Sequence, residues 1–163
     1  MRSLLSIALL AFSIAPLPAE FLRIEQRVAG LDCLSCASSV ERVLRKIKGV
    51  ETVTFQPKDA VAVMDLKPGN AATLEQVRDA VKGIGYTPAA ANVTVRGQIH
   101  TDAGKWLLKA AGERSYELDL SQAGDAASRI RSGAGQTLVV EGTVEPQPGQ
   151  APVIQVKSAR AAN

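Results

Sequence analysis

The apolar positions between residues 20 and 92 change their period several times, which predicts a succession of strands and helices. Between residues 22 and 28, the charged residues at 23, 25 and 27 alternate with Leu22, Ile24, Gln26 and Val28 as in a half-buried strand, and Gly30 then interrupts the pattern. A helical period follows, and Gly49 is its predicted end. The positions on the apolar face of this helix are Cys36, Val40, Val43, Leu44 and Ile47.

The segment that follows this first helix predicts a β-hairpin. Residues 50–55 are rich in β-branched side chains, which is typical of a strand. The polar residues 56–59 turn the chain, and residues 60–66 are the predicted partner strand. Breakers at residues 68–70 end that partner strand and separate it from the next element.

A second helix and a closing strand complete this part of the chain. Thr73 is a predicted N-cap, and Gln76 lies three residues further on, as in a capping box. Gly83 and Gly85 end the helix, and a last strand is predicted between residues 89 and 95. The order strand, helix, strand, strand, helix, strand predicts a ferredoxin-like domain with two helices on one face of a four-stranded sheet.

Residues 93–163 predict a second, mainly β domain, so the overall class is α+β. A polar, alanine-rich segment at 121–132 predicts a short helix after the third of five strands, which is the order of an OB-like barrel. We place the boundary near residue 92, with residues 89–95 as the last strand of one domain running into the first strand of the other. The five predicted strands lie at 93–99, 105–108, 115–120, 137–144 and 152–156.

Residues 1–19 have the pattern of a secretory signal peptide. Arg2 is their only charge, the apolar run at 4–15 is too short to span a bilayer, and Ala19 offers a small residue for cleavage. An uncleaved anchor or a buried N-terminal helix is the alternative. The prediction is a periplasmic or secreted protein, with no stable membrane insertion after cleavage.

Charge and isolated polar residues exclude several classes of function. The chain has 19 basic and 16 acidic residues of mixed order, which is too balanced for a nucleic-acid partner. His100 is the only histidine and is typical of a structural or exposed residue. Trp106 and Tyr116 are either core residues or a stacking surface on the barrel. No nucleophile motif or phosphate-binding glycine loop is present.

Both cysteines of the chain, Cys33 and Cys36, lie where the first strand gives way to the first helix. A thiol pair at such a loop binds a soft metal ion, exchanges disulfides or closes a small disulfide. Two thiolates approaching from opposite sides suit Cu(I) and Hg(II), and a helix N-terminus favours the thiolate form of Cys36.

The residues around this pair resemble the heavy-metal-associated domain family. That family includes copper chaperones, periplasmic mercury-binding proteins and the N-terminal domains of metal-exporting P-type ATPases. The resemblance covers about residues 20–92, and it implies that Cys33 and Cys36 are the metal ligands. It is carried by Gly30-Leu31-Asp32-Cys33-Leu34-Ser35-Cys36-Ala37, Gly49-Val50 and Gly83-Ile84-Gly85-Tyr86.

Three positions around the motif refine what the resemblance implies. Leu31 replaces the family's methionine, which packs inside and tethers the loop. Tyr86 occupies the loop position that faces the metal, although it is equally interpreted as a core or C-cap aromatic. Asp32 matches the carboxylate ligand of zinc-, cadmium- and lead-exporting relatives, so Zn(II) or Cd(II) competes with Cu(I) or Hg(II). The alternative for Asp32 is a solvated loop carboxylate or helix N-cap.

The predicted function is therefore that of an exported, non-enzymatic protein that sequesters or transfers a soft metal ion by ligand exchange. Its expected partner is a metal transporter or another metal-binding protein. A thiol–disulfide oxidoreductase using the same pair is the alternative, but the tryptophan and proline that mark thioredoxin-like motifs are absent. A third interpretation is an interaction module in which the barrel recognises a cell-envelope partner.

Overall fold

The computed structural model describes residues 20–31, 34–109, 115–147 and 149–162. The predicted signal peptide at 1–19 lies outside the described residues. None of the helices in the described part has the length and apolar character needed to cross a membrane. The elements are β1 (Glu20–Ala29), α1 (Leu34–Leu44), β2 (Val50–Gln56), β3 (Val61–Leu66), α2 (Leu74–Gly83), β4 (Thr87–Asp102), β5 (Lys105–Lys109), β6 (Ser115–Asp119), α3 (Asp125–Ser132), β7 (Thr137–Val144) and β8 (Val153–Ala161).

The first part of the chain forms the predicted ferredoxin-like arrangement. Its strands lie in the order β2-β3-β1-β4, and each neighbouring pair is antiparallel. α1 packs against β2 and α2, and α2 packs against β4 and β1. The apolar stripes of the two helices are buried at this contact, as their helical period requires. The fully buried residues of the stripes include Val40, Leu44, Leu74, Val77 and Val81.

The two helices differ in how closely they follow the prediction. The capping box of α2 is confirmed, since Gln76 N–H donates to Thr73 Oγ1 (3.2 Å) and Thr73 N–H donates to Gln76 Oε1 (3.0 Å). α1 ends at Leu44 rather than continuing to Gly49. Its last bonds tighten, with Ile47 N–H donating to Leu44 O (3.1 Å), so Ile47 packs against the core from a turn.

Two features of the turn after α1 require a glycine at position 49. Its φ of +99° lies in the region that favours glycine. A Cβ at this position would also lie 2.7 Å from Asn70 Cβ. The close approach joins the α1–β2 turn to the segment that precedes α2, where the Asn70 side chain donates to Phe21 O (2.8 Å).

β4 is a single 16-residue strand that passes through the predicted boundary at residue 92. Its residues 87–96 pair with β1, and its residues 98–102 pair with β5. Residues 91–98 also pair with β7. The pairings β4–β5, β5–β6, β6–β8, β8–β7 and β7–β4 close a ring of five strands, in which only β6–β8 is parallel. α3 lies between β6 and β7 in the chain and packs against β8. The division into two domains stays a prediction.

The two parts of the sheet share one continuous apolar core. The rings of Phe21 on β1 and Tyr116 on β6 meet edge to face, with centroids 5.6 Å apart. The nearly buried carboxylate of Glu20 pairs with the Arg96 guanidinium and accepts from Gly69 N–H. Since β1 belongs to the ferredoxin-like part and β6 to the ring, neither part buries its apolar surface alone.

Candidate metal centre

The cysteine-bearing loop leaves the sheet at the same end as two other connections. Ala29 pairs with Thr87, so Gly30 leaves β1 beside the point where Tyr86 enters β4. Val28 N–H donates to Ala60 O (2.8 Å), which brings the β2–β3 turn to this end as well. Three connections therefore lie at this end of the sheet, and a left-handed Gly30 (φ +81°) turns the chain away from the strand.

Cys36 lies in the first turn of α1 and is half-buried. It is disulfide-bonded, so the structure represents an oxidised thiol at this position. The first turn of α1 carries no acidic residue. The partial positive charge of the helix N-terminus is therefore available to a thiolate once Cys36 is reduced.

Two of the predicted site residues, Cys33 and Asp32, lie outside the described residues. Their roles as ligand and third ligand stay predictions. The described residues contain no cluster of three or more His, Cys, Asp and Glu side chains that could hold a metal ion. Within the described part, the chemistry of the site therefore rests on Cys36.

Leu31 and Tyr86 lie at this end of the sheet and both pack against the core. Leu31 is half-buried against the apolar cluster, where a buried side chain can tether the start of the loop. Tyr86 is also half-buried against that cluster. Its N–H donates to Val81 O (3.3 Å), immediately after the left-handed Gly85 that ends α2. Tyr86 thus combines a helix-terminating position with a place beside the loop.

The remaining sequence candidates are far from this end of the sheet or belong to the core. His100 lies 13 residues beyond Thr87 on β4, roughly 40 Å along an extended strand. Its Nδ1 is buried without a hydrogen-bond partner in the described structure. Tyr116 is a core residue, and Trp106 packs partly buried against the same core. Tyr116 and Trp106 therefore do not form an exposed stacking surface.

A half-buried arginine near this end of the sheet was not evident from the sequence. Arg78 on α2 donates from Nη2 to Val144 O at the end of β7 (2.8 Å). Burial is the main influence on its guanidinium and lowers its pKa, while Glu75 and Glu145 oppose that shift. Arg78 lines a cavity of about 490 Å³ between α2 and the β7–β8 connection. In the sequence it is an ordinary polar position of an amphipathic helix.

The first part of the chain is similar to proteins of one known domain family. Residues 26–87 match the Heavy-metal-associated domain family. The copper-transporting ATPase HMA4 of Oryza sativa subsp. japonica is 36% identical over 59 residues, which are 36% of this chain and 6% of the ATPase. The mercuric transport protein periplasmic component of Pseudomonas fluorescens is 29% identical over 94 residues, covering 56% of this chain and all of that protein.

A solved structure from work on crosstalk between Cu(I) and Zn(II) homeostasis is 33% identical, with a TM-score of 0.38. It covers 40% of this chain and 93% of its own length. Residues 26–87, rather than the whole chain, therefore carry the likeness to the heavy-metal-associated domain family. The relatives that match this part of the chain include a copper-transporting ATPase and a periplasmic component of mercuric transport.

Proposed function

We propose that this protein is exported and sequesters or transfers a soft metal ion, Cu(I) or Hg(II), through the thiolates of Cys33 and Cys36. The observation that carries the proposal is the position of Cys36 in the first turn of α1, at the strand-to-helix loop of a heavy-metal-associated domain. At that position the helix N-terminus stabilises negative charge on sulfur. The relatives named for copper and mercury transport support the choice of soft ions.

Metal binding requires the cysteines in their reduced form. Since Cys36 is disulfide-bonded, an external dithiol first supplies two electrons and two protons, and its own sulfurs form the new disulfide. The metal then displaces the thiol protons and is held between two sulfurs. Transfer proceeds as an incoming thiolate of the partner joins the ion, giving a three-coordinate intermediate, and one thiolate of this chain leaves. No general acid or base is needed.

The residues beside the pair set which ion is preferred. In this proposal Leu31 and Tyr86, which pack against the core at this end of the sheet, limit the access of water to the ion. We propose that Asp32 stays outside the coordination sphere of Cu(I) and Hg(II), because carboxylate oxygen prefers harder ions. Participation of Asp32 would shift the preference toward Zn(II) or Cd(II). The proposed partner is a metal transporter or another metal-binding protein with thiolate ligands.

We further propose that residues 1–19 are a signal peptide and that residues 93–163 form an OB-like barrel after a metal-binding domain at 20–92. The support for the barrel is the ring order β4-β5-β6-β8-β7, the parallel pairing of β6 with β8, and α3 between the third and fourth strands of the ring. β4 then serves both domains. The ring's role in this proposal is to support the metal-binding domain.

The test is an anaerobic titration of the reduced protein with Cu(I), Hg(II) and Zn(II) in competition, with bound metal read by elemental analysis. We expect one soft ion per chain, and loss of that ion in the double variant Cys33→Ser, Cys36→Ser. The matched control is Ser35→Ala, which changes a neighbouring side chain without removing a thiol. Preference for zinc, abolished by Asp32→Ala, would replace the soft-ion proposal. Absence of metal binding with rapid disulfide exchange would favour the oxidoreductase.

A further inference from the structure

β2 is the one strand of the described structure with a neighbouring strand on a single side. β3 pairs with it, whereas each other strand in the described residues has partners on both sides over part of its length. The free side of such an edge strand carries backbone N–H and C=O groups that can pair with another chain. The edge of β2 is therefore the place in this sheet where a further strand could be added.

The side chains of β2 give this edge little protection. Its sequence, Val-Glu-Thr-Val-Thr-Phe-Gln, contains one charged residue, Glu51, and neither lysine nor proline. Charged residues, lysine above all, and proline are the usual means of blocking an edge. A segment rich in β-branched residues with low net charge favours strand pairing. A shift in register between Val50 and Thr52 disturbs only the first part of the strand.

Two side chains of α1 already bond to this edge. Phe55 N–H donates to Glu41 Oε1 (2.9 Å), and Arg45 Nη2 donates to Val53 O (3.1 Å). The same Arg45 Nη2 donates to Glu41 Oε2 (3.2 Å), so the two side chains form one unit. Backbone groups two residues apart on a strand face the same side. Glu41 and Arg45 thus satisfy one donor and one acceptor along the same edge.

We propose that the Glu41–Arg45 pair keeps this protein monomeric by occupying the β2 edge that would otherwise pair with β2 of a second copy. Two antiparallel β2 strands related by a twofold axis would present the same donor and acceptor to each other, which is a self-complementary contact. No lysine on β2 would oppose their approach. The proposal does not depend on metal binding.

The test removes the pair and follows the oligomeric state. In the purified chain carrying Glu41→Ala and Arg45→Ala, light scattering after size exclusion should show a molar mass that rises with concentration toward twice that of the wild type. The wild type should remain monomeric. The matched control is Asp79→Ala, Lys82→Ala, which removes an exposed pair of α2 (3.9 Å) and should leave the mass unchanged.

A second measurement locates the contact. In dilute variant, exchange of the Phe55 amide should become roughly tenfold faster because one hydrogen bond is lost. At high concentration it should slow again as a second strand pairs with it. Adding Thr54→Lys, at an exposed position of β2, to the double variant should restore the monomer.

Three results would overturn the proposal. They are a variant that stays monomeric while its Phe55 amide exchanges freely, a dimer that persists with Thr54→Lys, and a wild type that already pairs through β2. Should the alanine variant fail to fold, Glu41→Gln with Arg45→Met retains most of both side chains. The mass measurement then decides, since loss of the Arg45 guanidinium frees Val53 O for a partner strand.

Discussion

The ferredoxin-like part and the ring of five strands share β4 and a core, yet they differ in what they expose. The first is an open sheet with helices on one face, one edge that pairs with no further strand, and a cysteine in the first turn of α1. In the ring every strand has a neighbour on both sides. Buried apolar side chains are distributed over both parts, whereas the candidate chemistry lies at one end of the first.

The largest effect is expected from removing a side chain that the ring contributes to the shared core. Tyr116→Ala should destabilise the fold by about 3–5 kcal/mol, because it empties a fully buried position in contact with Phe21. Both parts should unfold in one urea transition, read by Trp106 fluorescence for the ring and by circular dichroism for the helices. Tyr116→Phe is the milder control. Separate transitions for the two probes would mean that the parts are independent.

A second change stresses the ring at a position remote from the cysteine loop. A Cβ at Gly142 would lie 2.4 Å from Gln155 O and 2.6 Å from Ile154 Cγ2. Gly142→Ala should therefore cost about 1–3 kcal/mol in the free energy of unfolding, without changing metal affinity. Gly83→Ala is the control, since an added Cβ meets nothing within 4 Å there. Equal denaturant midpoints for the two variants would contradict the account.

A smaller effect is expected from the cap of α2 in the ferredoxin-like part. Thr73→Ala removes the side-chain acceptor for Gln76 N–H and should cost about 1 kcal/mol. Thermal unfolding measures the loss, and faster amide exchange at Gln76 localises it. Thr101→Ala, at an exposed position near the end of β4, should leave both measurements unchanged. An undiminished midpoint in Thr73→Ala would show that the cap adds nothing to stability.

The smallest expected effect is a pH dependence in the ring. Hydrogen bonds from Ser121, whose N–H lies 2.9 Å from Asp119 Oδ1, lower the pKa of Asp119. A carboxyl with a lowered folded-state pKa contributes stability above its ordinary pKa and loses it as pH falls through the folded value. The stability difference between wild type and Asp119→Asn should therefore shrink on acidification. A carboxyl titration by NMR at or above about pH 3.9, the ordinary value, would contradict this.

Local periodicity predicted most of the elements, because alternating and helical patterns need only neighbouring residues. The strands of the ring and the Thr73 cap are examples. The predicted end of α1 at Gly49 is wrong, because the helix ends at Leu44 and hydrogen bonds between residues three apart, which no local pattern reveals, continue the chain from there. The bond from Arg78 to Val144 O and the Glu41–Arg45 contact with β2 depend on how elements pack, which no local pattern encodes. Cys33 and Asp32 stay predictions.

The measurement that tests the central claim most directly is X-ray absorption of the reduced protein loaded with one equivalent of Cu(I). We predict a first coordination shell made only of sulfur, supplied by Cys33 and Cys36, and its disappearance when both are changed to serine. The spectrum should be unchanged in Asp32→Asn. A shell that contains oxygen or nitrogen, or a sulfur shell that survives the double substitution, would contradict the claim that this thiolate pair alone holds the metal.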